Sequence, residues 1–114
     1  MATNTARDPG RFLTLPVTSG YVSGDPDVVG DGVLAVVLQT DADASDEATC
    51  DTAGAHRFAV TASAGAITPG DLVYKAEYLG LPVLSNDNGG DRFGYALESV
   101  ANLATTTIEV KVGY

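Results

Sequence analysis

Turn-forming residues interrupt this chain so often that no long helix fits between them. Thr18-Ser19-Gly20, Gly30-Asp31-Gly32, Ser63-Ala64-Gly65 and Ser85-Asn86-Asp87-Asn88-Gly89-Gly90-Asp91 all break it, and 13 glycines and 5 prolines are spread over 114 residues. Glycine supplies positive φ, proline presets a turn, and Asn, Asp and Ser bond their own backbone. What lies between the breaks is short and β-like. Val33 to Leu38 is a near-continuous apolar run, too short for a typical helix, and reads as a fully buried strand. Arg57-Phe58-Ala59-Val60-Thr61 alternates, with Phe58 and Val60 on one face. The last run alternates most cleanly, with Ile108, Val110 and Val112 inward and Glu109 and Lys111 outward.

Further strands are expected at Phe12-Leu13-Thr14-Leu15-Pro16-Val17, at residues 72–79, at Leu81-Pro82-Val83-Leu84 and at Phe93-Gly94-Tyr95-Ala96-Leu97. Pro16 lacks an amide donor and places the first of these at a sheet edge. In the last, Phe93, Tyr95 and Leu97 share one side by parity. Residues 100–104 read as a connection or a single helical turn. The fold class is therefore all-β: a small β-barrel or β-sandwich of about seven or eight short strands with little helix. Residues 12–114 form one β-domain, preceded by an extended N-terminal arm over residues 1–11, which is polar, aperiodic and contains Pro9-Gly10.

A weak repeat runs through this pattern. Ser23-Gly24-Asp25-Pro26 leads into Val28-Val29, and Pro69-Gly70-Asp71 leads into Leu72-Val73-Tyr74. Glycine allows the sharp entry into a sheet, and the aspartate accepts hydrogen bonds from the turn backbone. Gly24, Asp25, Gly70 and Asp71 are thus expected as structural turns at two corners of a pseudo-twofold barrel. The second copy would carry an extra hairpin, roughly over residues 76–92.

The residues offer little chemistry. His56 is the only histidine and Cys50 the only cysteine, so there is no intrachain disulfide, no Cys-based zinc site and no material for a hydrolase triad. Carboxylates around Cys50 disfavour its thiolate. The acidic segment 40–51 has the Asp41-x-Asp43 start of a calcium loop. However, Asp46 stands where the glycine belongs and Thr52 where the closing glutamate belongs, so the segment reads as a solvated, mobile loop. Asp25 with Asp27, and Asp87 with Asp91, lie in turns without an apolar setting to raise a pKa. Tyr21, Tyr74, Tyr78, Tyr95 and Tyr114 read as the rim of a small core. No catalytic residue, metal or cofactor is expected. The net charge of −9 argues against nucleic acid and against an anionic membrane surface. The polar start lacks the apolar stretch of a secretion signal, so the protein is expected to stay soluble in the cell that makes it.

The order of these motifs resembles the short capsid decoration proteins of tailed bacteriophages, also called head-stabilising or cementing proteins. The resemblance is carried by the polar start Met1-Ala2-Thr3-Asn4, by Ser23-Gly24-Asp25-Pro26 before Val28-Val29-Gly30, and by Val33-Leu34-Ala35-Val36. It continues through Ile67-Thr68-Pro69-Gly70-Asp71-Leu72-Val73-Tyr74, Phe93-Gly94-Tyr95-Ala96-Leu97 and Thr105-Thr106-Thr107-Ile108-Glu109-Val110-Lys111-Val112. The acidic 40–51 segment with Cys50 departs from the family pattern. The resemblance implies a non-enzymatic protein, made in the host cytoplasm and placed on the outer surface of the virion head. There it would bridge major capsid protein subunits and self-associate as a homotrimer. The capsid-binding residues would be the arm: Ala2, Thr3, Asn4, Thr5, Ala6, Arg7, Asp8, Pro9, Gly10 and Arg11, with Phe12 at its junction. The alternative is a small β-barrel binding module for a ligand, a carbohydrate or a protein partner.

Overall fold

Gly24 and Gly70 take positive φ, +92° and +96°, as the paired turns require. The computed structural model describes residues 12–30 and 34–113. In both turns the aspartate side chain reaches back over the turn: Val22 N–H donates to Asp25 Oδ2 and Thr68 N–H to Asp71 Oδ2, each at 2.9 Å. The backbone closes identically, with Asp25 N–H on Val22 O and Asp71 N–H on Thr68 O, both 3.0 Å. Each turn then docks on a distant strand. Gly24 N–H donates to Leu38 O at 2.7 Å and Gly70 N–H to Ala96 O at 2.8 Å, while Leu38 N–H and Ala96 N–H return 2.9 Å bonds to Asp25 O and Asp71 O. The repeat legible in the sequence is therefore a repeat of hydrogen bonding.

It extends to whole sheets. The described strands are β1 (Phe12–Pro16), β2 (Pro26–Val29), β3 (Leu34–Leu38), β4 (Glu47–Asp51), β5 (Ala55–Thr61), β6 (Leu72–Tyr78), β7 (Leu81–Ser85), β8 (Asp91–Ala96) and β9 (Thr105–Val112). The first four form an open sheet in the order β1-β4-β3-β2, and the last five close into a barrel in the order β5-β7-β6-β8-β9. Registers match between the halves, up to a bulge in β8. Leu13 opposes Cys50 as His56 opposes Val110, and Leu38 opposes Cys50 as Ala96 opposes Val110. So β1, β2, β3 and β4 correspond to β5, β6, β8 and β9. The one strand without a counterpart is β7. It closes the barrel by running antiparallel to β6 and parallel to β5, with Ser85 opposite both Tyr74 and Thr61. The expected extra hairpin of the second copy is this strand with the outer part of β6.

Among the described residues the open half has no such strand, and a side chain takes its place. Val28 and Thr18 stand where Tyr74 and Thr61 stand in the barrel. Their amides both donate to the Asp27 carboxylate, at 2.8 Å each. Pro26 contributes no donor to the same edge. Asp27 thus satisfies edge amides that a fifth strand would otherwise need to meet. It also receives Thr18 Oγ1 and, from the barrel half, the Lys75 ammonium, each at 3.2 Å.

Two cores follow from the duplication. In the barrel, Phe58, Val60, Ile67, Ala96, Ile108 and Val110 are buried together. Their counterparts Leu15, Val17, Tyr21, Leu38, Ala48 and Cys50 form the second cluster, beneath the open sheet. Strand β3 joins the two layers, because Ala35 and Val37 pack into the barrel cluster while Val36 and Leu38 face the other way.

Three expectations change. Residues 40–51 are not a loop throughout: Glu47–Asp51 is β4, an inner strand of its sheet. Its buried positions are Ala48, Cys50 and Asp51, and the small side chains among acids hid the alternation. Asp27, read as a turn residue without an apolar setting, is a strand residue 1% exposed. Finally, Phe93, Tyr95 and Leu97 do not share a buried side. A register shift at Val73/Tyr74 leaves Phe93 as an extra residue in β8, because Val73 opposes Gly94 and Tyr74 opposes Arg92. Past that bulge the buried positions are Gly94 and Ala96, while Leu97 is exposed. The arm residues 1–11, Asp31-Gly32 of the predicted turn, Val33 and Tyr114 lie outside the described residues.

Candidate functional site

The groups most able to do chemistry are occupied by the fold. Cys50 is fully buried, and burial pushes its thiol up to about 11, so it is a poor nucleophile at neutral pH. His56 Nε2 lies 3.1 Å from Asp51 Oδ2 and 3.3 Å from Ala53 O. This contact clasps the connector between the open sheet and the barrel. Two carboxylates of the acidic segment accept from backbone amides: Asp41 Oδ1 from Ser23 N–H, and Asp43 Oδ1 from Ser45 and Glu47 N–H. Among the described residues no three His, Cys, Asp or Glu side chains are grouped to hold a metal.

The buried polar centre is Asp27 with Lys75 and Tyr21. The Lys75 ammonium sits 4.9 Å from the Tyr21 ring centroid and in contact with Asp27. Burial opposes the lysine charge, but the Tyr21 hydroxyl and the Asp27 carboxylate outweigh it, and the pKa rises. Burial also raises Tyr21, against the opposing pull of Lys75. Tyr21 and Cys50 of the open half and Lys75 of the barrel thus all hold their protons more tightly folded than unfolded. Such groups stabilise the fold fully below their unfolded pKa, and that stability is lost as pH rises through the folded value. The Cys50 contribution is therefore intact below about pH 8.5 and lost on the way up to about 11. Urea midpoints should fall steadily from about pH 8.5 upward. The fall should be shallower between pH 8.5 and 10 in Cys50→Ala, and an equal slope in that variant would refute the assignment.

A cleft of about 570 Å³ opens between Asp71, Leu72, Tyr74, Asn86 and Asp87. Its carboxylates are committed too, Asp71 to Thr68 N–H and Asp87 to Gly89 N–H. The predicted turn residues Gly24, Asp25, Gly70 and Asp71 make the two docked turns described above. Of the predicted contact residues only Phe12 is described: it begins the edge strand β1 and is 52% exposed.

The surface feature that sequence reading missed is the β6–β7 hairpin tip. Tyr78, Leu79 and Leu81 are 69%, 84% and 65% exposed, side by side. The available signal was Leu79-Gly80, which holds a two-residue hairpin turn where Asn-Gly is the usual pair.

The family model described as "Phage cement protein" matches residues 8–112. No curated protein and no solved structure matches the chain.

Proposed function

The chain belongs to the phage cement protein family, and from that premise we propose that it binds the outer surface of a tailed-phage head and stabilises it by bridging major capsid protein subunits. The match over residues 8–112 is the observation that carries this reading. Membership supports a structural role as a capsid component. The committed state of His56, Cys50 and the carboxylates is in keeping with a protein that acts by contact. On this reading the protein sits on the shell as a homotrimer. Its arm, Ala2 to Phe12, lies along the capsid and wraps surface that the β-domain cannot reach. Each contact needs only modest strength, because the lattice presents many copies at once.

Purified protein co-sedimented with heads assembled without it tests both parts. The full chain should saturate the heads at a fixed copy number. The chain lacking residues 1–10 should fail to occupy them while keeping the melting midpoint of the full chain. Undiminished occupancy by the shortened chain would sink the arm, and no binding by the full chain would sink the capsid reading.

A further inference from the structure

We propose that the tip of the β6–β7 hairpin is an apolar plug that seats in a socket on the capsid shell subunit. This rests on the capsid-binding reading above and adds a contact other than the arm. The hairpin has two parts. Its inner part belongs to the barrel: Lys75 and Tyr74 pair with Leu84 and Ser85, which also meet β5. Its outer part pairs only with itself, Ala76 with Val83, Glu77 with Pro82 and Tyr78 with Leu81. It has no counterpart among the described residues of the first half, where the repeated framework forms without it.

A two-stranded ribbon of this kind is marginal in water on its own, yet its end carries three large apolar side chains turned to solvent. Glu77 is the only charged residue between Ala76 and Val83. Leu79 and Gly80 both have positive φ, 53° and 79°. Such a turn favours asparagine, aspartate or glycine at its first position, and leucine is a poor choice there for folding alone. The choice is accounted for by a partner that takes up the side chain.

Area and charge speak against a pair of free copies as the occupant. An aromatic side chain buries roughly 150–250 Å²; with two leucines of comparable or slightly smaller area, the exposed parts of the three offer roughly 400 Å². Two tips meeting between free copies would bury roughly 800 Å², short of the roughly 1,200–2,000 Å² of a stable pair. They would also bring together two chains of net charge −9. A plug of this size is suited to a preformed socket on a lattice, where other contacts hold the protein in place.

Leu79→Asn tests the plug, since asparagine suits the turn and removes the apolar end. The variant should melt at the same temperature as the wild type or higher. Its apparent affinity for heads assembled without the protein should fall about tenfold, as loss of a central anchor does. Equal affinity of variant and wild type would overturn the plug and leave the capsid reading standing. A wild type that ignores the heads would overturn the capsid reading, and the plug with it. Sedimentation velocity separates the remaining case: if free wild type is a trimer and Leu79→Asn a monomer, the tip joins copies of this chain and the shell socket is wrong.

Discussion

Replacing Asp27 with alanine will cost the fold about 3–5 kcal/mol, the range for breaking a buried charge pair by removing one partner. The carboxylate receives Thr18 N–H, Thr18 Oγ1, Val28 N–H and Lys75 Nζ at 2.8–3.2 Å. The pair is buried on both sides, with the Asp27 and Lys75 side chains 2% and 8% exposed. Alanine leaves an ammonium and two amides of the open seam without an acceptor, and each orphaned buried group adds its desolvation cost. For a domain with a total stability of about 5–15 kcal/mol, that is a large share. Urea unfolding monitored by tyrosine fluorescence measures it. Asp27→Leu combined with Lys75→Met should recover part of the loss, because the uncompensated charge is then gone. A loss under about 1 kcal/mol for Asp27→Ala would mean that the carboxylate does not hold the seam, since that is the worth of an exposed ion pair.

Gly94→Ala will be comparably damaging for a steric reason. A Cβ at position 94 would lie 2.0 Å from Lys111 O and 3.0 Å from Lys111 C, both backbone atoms of the neighbouring strand. No rotamer change relieves a clash with a carbonyl. Strands β8 and β9 must move apart where Gly94 opposes Val112, and the barrel closure is lost with them. Overpacking a core costs about 1–3 kcal/mol, occasionally more. A backbone clash inside a closed barrel belongs at or above the top of that range, so the melting midpoint should drop by roughly 10 °C or more. The repeat supplies the contrast. Val36 is the counterpart of Gly94 in the open sheet and is fully buried as valine, because an uncurled sheet leaves room for a side chain there. A Gly94→Ala protein that melts within about 2 °C of the wild type would show that the strands part easily and that the close approach is not required.

Much of the framework was legible because short-range chemistry writes it. Gly24-Asp25 and Gly70-Asp71 mark their turns through positive φ and an acceptor at a fixed spacing, and these are local requirements. Ile108, Val110 and Val112 announce their face by alternation. What stayed hidden depends on partners far along the chain. Asp27 looks like any turn aspartate until Lys75 and Thr18 are brought beside it. Strand β4 is spelled with alanine, cysteine and acids, so its burial comes from its place between β1 and β3 and not from its hydropathy. The bulge at Phe93 shifts parity, and its one mark in β8 is Gly94, a residue that also serves a close approach between strands. The hairpin itself was legible from the break at Gly80, but the exposure of Tyr78, Leu79 and Leu81 at its end was not, because alternation alone gives apolar strand residues a place in the core. The contact surface is the least legible part, since a sequence encodes the shape of one partner only.

The capsid reading is tested most directly by the temperature at which packaged heads release their DNA, with and without this protein on them. Heads assembled without it should release DNA at a lower temperature, and adding purified protein from outside should restore the higher one as occupancy saturates. Release at the same temperature with and without bound protein would contradict a stabilising role.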